Sequence, residues 1–177
     1  MHDLGRNEDR LRGTYEFPFE FHHIDSTHPR YVMSYHWHVE CEIMRILQGT
    51  LTVTLDEKSF TAKAGDVIFV NSGVLHSGIP QDCIYQCIVF DMNMFLKFNS
   101  VCTEYMQKLS HQELLIYHHF TERHPDIRQT VNSLFDSFWQ KKPGYELIVF
   151  GQFYHFFGLV FGNHYYLESV TRARRDY

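Results

Sequence analysis

"SYHWHVECEIMRILQG", residues 34–49, decides the fold, and it contains a conflict between charge and burial. Its second half, with Ile43, Met44, Ile46 and Leu47, reads as a strand entering a core. Its first half carries His36, His38, Glu40 and Glu42 at alternate positions, which on one strand share a face. Two imidazoles and two carboxylates do not make a hydrophobic face. At about 3.3 Å per residue, a straight strand would hold His36 and Glu42 roughly 20 Å apart. They meet only if the chain bends, and "VEC" at 39–41 is the place for it. One strand then ends near His38 and another starts at Glu42. With that bend His36, His38 and Glu42 converge, and His76, just after the "NSG" turn at 71–73, supplies a further nitrogen.

Three histidines and one carboxylate form a mixed nitrogen–oxygen set suited to a divalent first-row metal, with positions left open for water or a ligand. The expected ion is Zn, Ni, Mn or Fe. The same four residues serve equally well as the hydrogen-bonded lining of a polar pocket with no cofactor at all. Met44 and Ile46 follow Glu42 on its face and are expected to form part of an apolar wall, the mixture that a small-molecule pocket needs. Glu40 sits in the bend itself.

The surrounding pattern is a series of short strands from about Gly13 to Phe90. "TLTVTL" alternates, "DEK" at 56–58 and "AGD" at 64–66 are turns, and "VIFV" and "CIYQCIVF" are apolar runs. Many short strands at near-regular spacing predict a sandwich or barrel. After Phe90 the pattern becomes helical. Residues 126–142 place Ile127, Val131, Leu134, Phe135 and Phe138 at helical spacing, with Lys141 and Lys142 in the last turn. "PG" at 143–144 breaks the chain before a second helix over 145–162 that is apolar nearly all round. Glu146, Gln152 and His155 interrupt it, so a core or interface helix is expected rather than a membrane span. The pair should pack as an antiparallel hairpin.

With 177 residues, 44% of them hydrophobic, the chain can bury one good core and an appended subdomain. "MHDLGRNEDRLRG" has no apolar run and so no secretory signal. Cys41, Cys83, Cys87 and Cys102 lack metal-type spacing, and Cys83 and Cys87 lie too far along one strand to bridge. A reduced, cytoplasmic protein is the expectation. The net charge of −5 argues against specific DNA binding by these residues alone, because phosphate contacts need a basic footprint. The one basic run, Arg172, Arg174 and Arg175, reads as a solvated tail or linker. No serine or cysteine nucleophile constellation stands out. His22 and His23 can approach the barrel mouth, although surface or supporting roles are commoner for such pairs, and His118 and His119, being adjacent, cannot chelate together on a strand.

A family resemblance rests on these positions. His36-x-His38, three residues, Glu42, six residues and Gly49 resemble the first cupin motif, and Gly65, Gly73 and His76 most of the second. Arg30 stands where that pattern has its leading glycine, Asn71 where it has proline, and Pro80 where it has the final asparagine. None of these is a ligand position. Within cupins, "YHWHVECEIMRILQGTLTVTLDEKSFTAKAGDVIFVNSGVLHSGI" looks most like the effector-sensing region of AraC-type transcriptional regulators, and the later helix pair resembles their dimerisation hairpin. The resemblance implies a mainly β fold, a cupin jelly-roll barrel followed by an antiparallel α-helical hairpin. It divides the chain into a barrel over 1–120, a hairpin over 121–166, and the start of a linker over 167–177. It implies a small polar effector such as a sugar, touched by His36, His38, Glu42, Met44, Ile46 and His76. It also implies a homodimer through 145–162, DNA contact only through a helix-turn-helix domain absent from this chain, and no catalysis. A free-standing metal-dependent cupin enzyme, a dioxygenase or isomerase, is the alternative that the same ligand set allows.

Overall fold

The computed structural model describes residues 6–98 and 100–169. The strands are β1 (Arg6–Asn7), β2 (Phe19–Ile24), β3 (Met33–Trp37), β4 (Cys41–Leu55), β5 (Lys58–Lys63), β6 (Val67–Val70), β7 (His76–Phe90), β8 (Leu114–Ile116), β9 (His119–Phe120) and β10 (Tyr166–Glu168). One eight-stranded sheet runs β1-β3-β7-β4-β6-β9, with β2 also on β7 and β5 also on β4. Its frame is the long antiparallel pair β4 and β7, in register from Cys41 opposite Phe90 to Leu55 opposite His76. Each of these strands changes partner halfway. The free edge of β4 takes β6 along Glu42–Arg45 and then β5 along Thr50–Leu55. That of β7 takes β3 at His76 and Gly78 and then β2 along Tyr85–Phe90. A sheet whose central strands serve two sets of neighbours curls on itself.

The corner lies at Gln48–Thr50, where the register between β4 and β7 slips. Gly49 there has φ +68°, and a Cβ would stand 2.2 Å from the Asp82 carbonyl oxygen. Only glycine fits both the angle and the space. The sequence pattern separates "VLH" from a strand beginning at Cys83, whereas β7 is continuous through Pro80. Proline is tolerated because from Ile79 to Ile84 this strand is paired on one edge only.

Alternation along β4 sorts side chains between two cores. Met44, Ile46, Leu51 and Val53 face the barrel interior with Ile68, Val70, Cys83, Tyr85 and Cys87. Cys41 and Ile43 face outward with Phe69, Ile88 and Phe90, and there the helices cover them. The helices are α1 (Thr103–Ser110), α2 (Pro125–Gln140) and α3 (Tyr145–Gly162). Helix α2 opens with proline in its first turn followed by Asp126, and buries Ile127, Val131, Leu134, Phe135 and Phe138 as the spacing predicts. The expected basic last turn is not formed. Lys141 has left-handed φ and ψ just past the helix, so the lysines belong to the connection. Helix α3 buries Val149, Phe153, Phe156, Phe157 and Val160, with Phe153 packed on Phe90 at 4.6 Å and Phe19 at 5.1 Å between ring centroids. Each such ring contributes about 1.5–3 kcal/mol by burial. Among the described residues no helix is long and apolar enough to cross a membrane. Leu167 and Glu168 are held in β10 against β8, and the basic run at 172–175 lies outside the described residues.

Three polar latches tie the helices and the late strands to the barrel. Arg45, on the outward face of β4, bonds Gln86 at 2.9 Å and Asp136 of α2 at 2.8 Å. Asn71 pairs with both the N–H and the carbonyl of Ile116 in β8, which is what asparagine at that motif position contributes here. Asp66, 1% exposed, accepts from His119 of β9 and from Arg128 of α2, both at 2.8 Å. Burial alone would raise the Asp66 carboxyl, but those bonds and the Lys63 N–H hold it below its ordinary value. A depressed folded pKa stabilises the fold above the unfolded value of about 3.9 and loses that contribution as pH falls through the folded value. Asp66→Asn should therefore lower stability at pH 7 by about 1.5–3 kcal/mol, the range for hydrogen bonds to a charged group. Urea midpoints measured at pH 7 and pH 3 should show the gap between wild type and variant narrowing at the lower pH.

Candidate functional site: a three-histidine, one-carboxylate cluster

The predicted bend exists. Strand β3 ends at Trp37, β4 begins at Cys41, and the turn between them is pinned from the 71–73 loop. Gly73 N–H donates to the His38 carbonyl at 2.9 Å, and the Ser72 hydroxyl to the Val39 carbonyl. His36 on β3 lies directly across from His76, the first residue of β7. Glu42 on β4 points to the interior ahead of Met44. Three segments of the chain therefore deliver His36, His38, Glu42 and His76 to one place, where their four donor atoms all lie within 4.8 Å of one another. His38 is 2% exposed, Glu42 4% and His76 not at all.

The hydrogen bonds fix how these rings present themselves. Each imidazole has its Nδ1 against a backbone carbonyl: His36 on Ser34 at 2.8 Å, His38 on Glu40 at 3.0 Å, and His76 on Val74 at 2.8 Å. A carbonyl only accepts, so Nδ1 carries the proton in all three rings. In the neutral rings every Nε2 then holds a lone pair. Nε2 of His38 and of His76 faces Oε2 of Glu42 at 3.3 and 3.2 Å. Two acceptors at that distance repel unless a proton or a cation lies between them.

Protonation follows from this. Burial would push Glu42 up, but the two imidazole hydrogen bonds hold it well below the usual carboxylate range. Burial works against a charged His38, yet the Glu42 carboxylate outweighs it and raises that ring above its ordinary value. His36 is lowered, by burial and by neighbouring His76. Glu42 and His38 thus favour each other's charged forms.

A divalent cation satisfies the same groups without that proton. Donors at about 2.0–2.2 Å from a metal stand no more than about 4.4 Å apart, so the cluster needs only a small contraction. The Nδ1–H to carbonyl bonds are the outer contacts that orient ligating histidines elsewhere in metalloproteins. The residues fit a divalent metal. Cys87 lines the same cavity, but burial keeps its thiol well above its ordinary value, so it is a neutral neighbour and not a thiolate ligand.

The cavity over the cluster is small, about 50 Å³, and its walls include Arg12, His22, Arg30, Met33, Tyr85 and Cys87. Met44 and Ile46 are fully buried in the inner apolar cluster and are not among its lining residues. His22 is, whereas His23 turns outward to Gln86. Sequence reasoning missed Arg12 and Glu8. Arg12 is 4% exposed and bonds Glu20 at 2.8 Å and Glu8 at 3.1 Å, with Glu40 4.0 Å away. No spacing rule links position 12 to 40, and only the alternation of acids and arginines in "RNEDRLR" carries a hint of it.

The model of the AraC-like ligand binding domain matches residues 18–157. A curated relative, an uncharacterized HTH-type transcriptional regulator, YdeC of Bacillus subtilis strain 168, is 36% identical over 56 residues. That match covers 30% of this chain and 19% of the relative's length. Among solved structures, a Bacillus subtilis oxalate decarboxylase overlaps 33% of this chain and 18% of that one, at 24% identity and a TM-score of 0.31. A putative ethanolamine utilization protein Q of Salmonella typhimurium LT2 overlaps 41% and 55% respectively, at 25% identity and a TM-score of 0.32. Overlaps at these scores carry no functional weight.

The tautomer argument is open to direct test. In metal-free protein near pH 8, long-range nitrogen–proton correlation spectra should show His36, His38 and His76 protonated at Nδ1. His38 should titrate above about 6.5, the ordinary histidine value. In Glu42→Gln it should titrate lower, because the charge that favours the imidazolium is gone.

Proposed function

Because the chain belongs to the AraC-like ligand binding domain family, we propose that it is the effector-sensing and dimerisation region of a DNA-binding transcriptional regulator. The reading is of a binding module, with DNA contact made by another part of the protein. Its effector site is the His36, His38, Glu42 and His76 cluster, holding one divalent transition metal. The observation that carries the metal is the common tautomer, with three Nδ1–H groups spent on carbonyls and the Nε2 atoms grouped around one carboxylate. A bound ion supplies Lewis acidity and open coordination positions for an incoming ligand. The chain's own residues set the donor geometry, exclude bulk water and hold the competing proton.

Elemental analysis of untagged protein should find about one metal per chain, lost in His38→Ala. Metal uptake should weaken as pH falls from 7.5 to 5.5, because protons compete for the same nitrogens. A wild type that stays metal-free when given manganese, iron, nickel or zinc would sink the metal reading.

Dimerisation is proposed through the exposed stripe of α3. Phe157 does not take part in it, being buried against Phe95 and Phe153. Leu147, Ile148, Gly151, Tyr154 and Gly158 are exposed, and a Cβ at either glycine would meet nothing within 4 Å. The stripe continues the apolar composition of the helix onto its outer side, where Leu147 is 80% and Ile148 50% exposed and Tyr154 touches Phe95 at one edge only. Gly158→Glu separates interface from fold. In the monomer it fills open space and improves helix propensity by roughly 0.5–1 kcal/mol. Sedimentation should show wild type as a dimer and Gly158→Glu as a folded monomer of equal or higher thermal stability.

A further inference from the structure

The 50 Å³ chamber over the cluster does not end at the protein surface. A second chamber of about 180 Å³ adjoins it, lined by Arg6, Glu8, Pro29, Arg30, Val32, Met33, Ser34 and His36. Glu8, Arg30, Met33 and His36 border both. Two of these four, Arg30 and Glu8, form an ion pair, Nη1 to Oε1 at 3.1 Å, at the boundary between the chambers.

The charges here balance in a particular way. Glu8, Glu20 and Glu40 lie against Arg10, Arg12 and Arg30, three acids to three arginines. That leaves Glu42 as the carboxylate for the metal. One carboxylate and three neutral imidazoles leave a divalent ion with one positive charge uncompensated. The inner chamber is too small for a sugar ring, since a single water already has a share of about 30 Å³ in the liquid. An incoming ligand must therefore reach the ion with a small head and keep its body in the outer chamber. There it meets Arg30, whose guanidinium is half exposed and bound to protein through Nη1 alone among the described residues. Its other donors are open, and a guanidinium matches a planar oxyanion in two-point fashion.

We propose that this site takes a small organic anion, a carboxylate that coordinates the metal at one end and replaces Glu8 on Arg30 along its body. This inference rests on the metal reading above, and it replaces the neutral sugar that the resemblance alone implies. Arg30 then selects the effector, and its place at the motif position where cupins have glycine has a chemical reason. Releasing Glu8 also frees a partner of Arg12, so occupancy changes the ion pairs that hold residues 8–12 over the barrel.

Calorimetric titration of the full chain tests this in two stages. In the first, manganese and zinc are added to wild type, His38→Ala and Arg30→Gln. In the second, acetate, malonate, citrate and glucose are added to the metal-loaded proteins. Arg30→Gln should fold, since its side chain is largely solvated and its backbone contacts to His28 and Tyr85 are unaffected. The expected result is metal affinity equal in wild type and Arg30→Gln. At least one carboxylate should bind wild type ten-fold or more tighter than it binds Arg30→Gln or metal-free protein, with glucose binding neither. If no metal binds, the metal reading fails and takes this inference with it. If metal binds but glucose outcompetes every anion, or Arg30→Gln binds the anions as well as wild type does, the anion inference alone is overturned.

Discussion

A single carboxylate buried among three imidazoles is the constraint around which the rest of this chain is arranged. An isolated ionised carboxylate cannot be taken out of water without compensation on the order of several kcal/mol. Glu42 faces the Nε2 atoms of His38 and His76, so a proton or a cation between them is what compensates its charge. The bend at 38–40, the 71–73 turn that pins it and the start of β7 at His76 all follow from that need. The backbone carbonyls of Ser34, Glu40 and Val74 are as much part of the site as the side chains, because they decide which nitrogen of each ring is left for Glu42 or a metal.

The second organising fact is that β4 is buried on both faces over its first six residues. A strand covered on both sides reads as a continuous apolar run, and "CEIMRI" breaks that run in two places. Glu42 breaks it on the inner face, and Arg45 on the outer. The inner break is the candidate site, and the outer one bonds Gln86 on β7 and reaches α2 through Asp136. Both are polar groups held in a core position by polar partners from other segments, three residues apart on β4.

Much of this was legible in the sequence, because it is written in local patterns. Alternation, turn residues and the spacing of His36, His38 and Glu42 identify strands and cluster, and 3.6-residue periodicity places α2 and α3. What was illegible depends on packing between distant segments. Met44 and Ile46 share a face with Glu42, but the barrel closes tightly enough to leave them in a solid core rather than a pocket wall. Phe157 looks like its neighbours in an all-round apolar helix, yet only three-dimensional packing says which side of α3 meets the barrel. Arg12 and Glu8 form the rim of the site from a segment with no strand pattern of its own, and Lys141 leaves the helix because the chain must turn there.

A site assembled from three segments makes binding and folding the same event in thermodynamic terms. Any ligand that joins His36 on β3, Glu42 on β4 and His76 on β7 stabilises the folded form by RT ln(1 + [L]/Kd), about 2.7 kcal/mol at a hundred-fold excess over Kd. That free energy goes to the strands it connects. Strand β4 pairs with β7, β6 and β5 and also holds α2 through Arg45, three residues from Glu42. On the metal reading proposed above, a cation would join β3, β4 and β7 through all four donors, whereas the contact of Glu42 with His38 spans only the bend at 38–42.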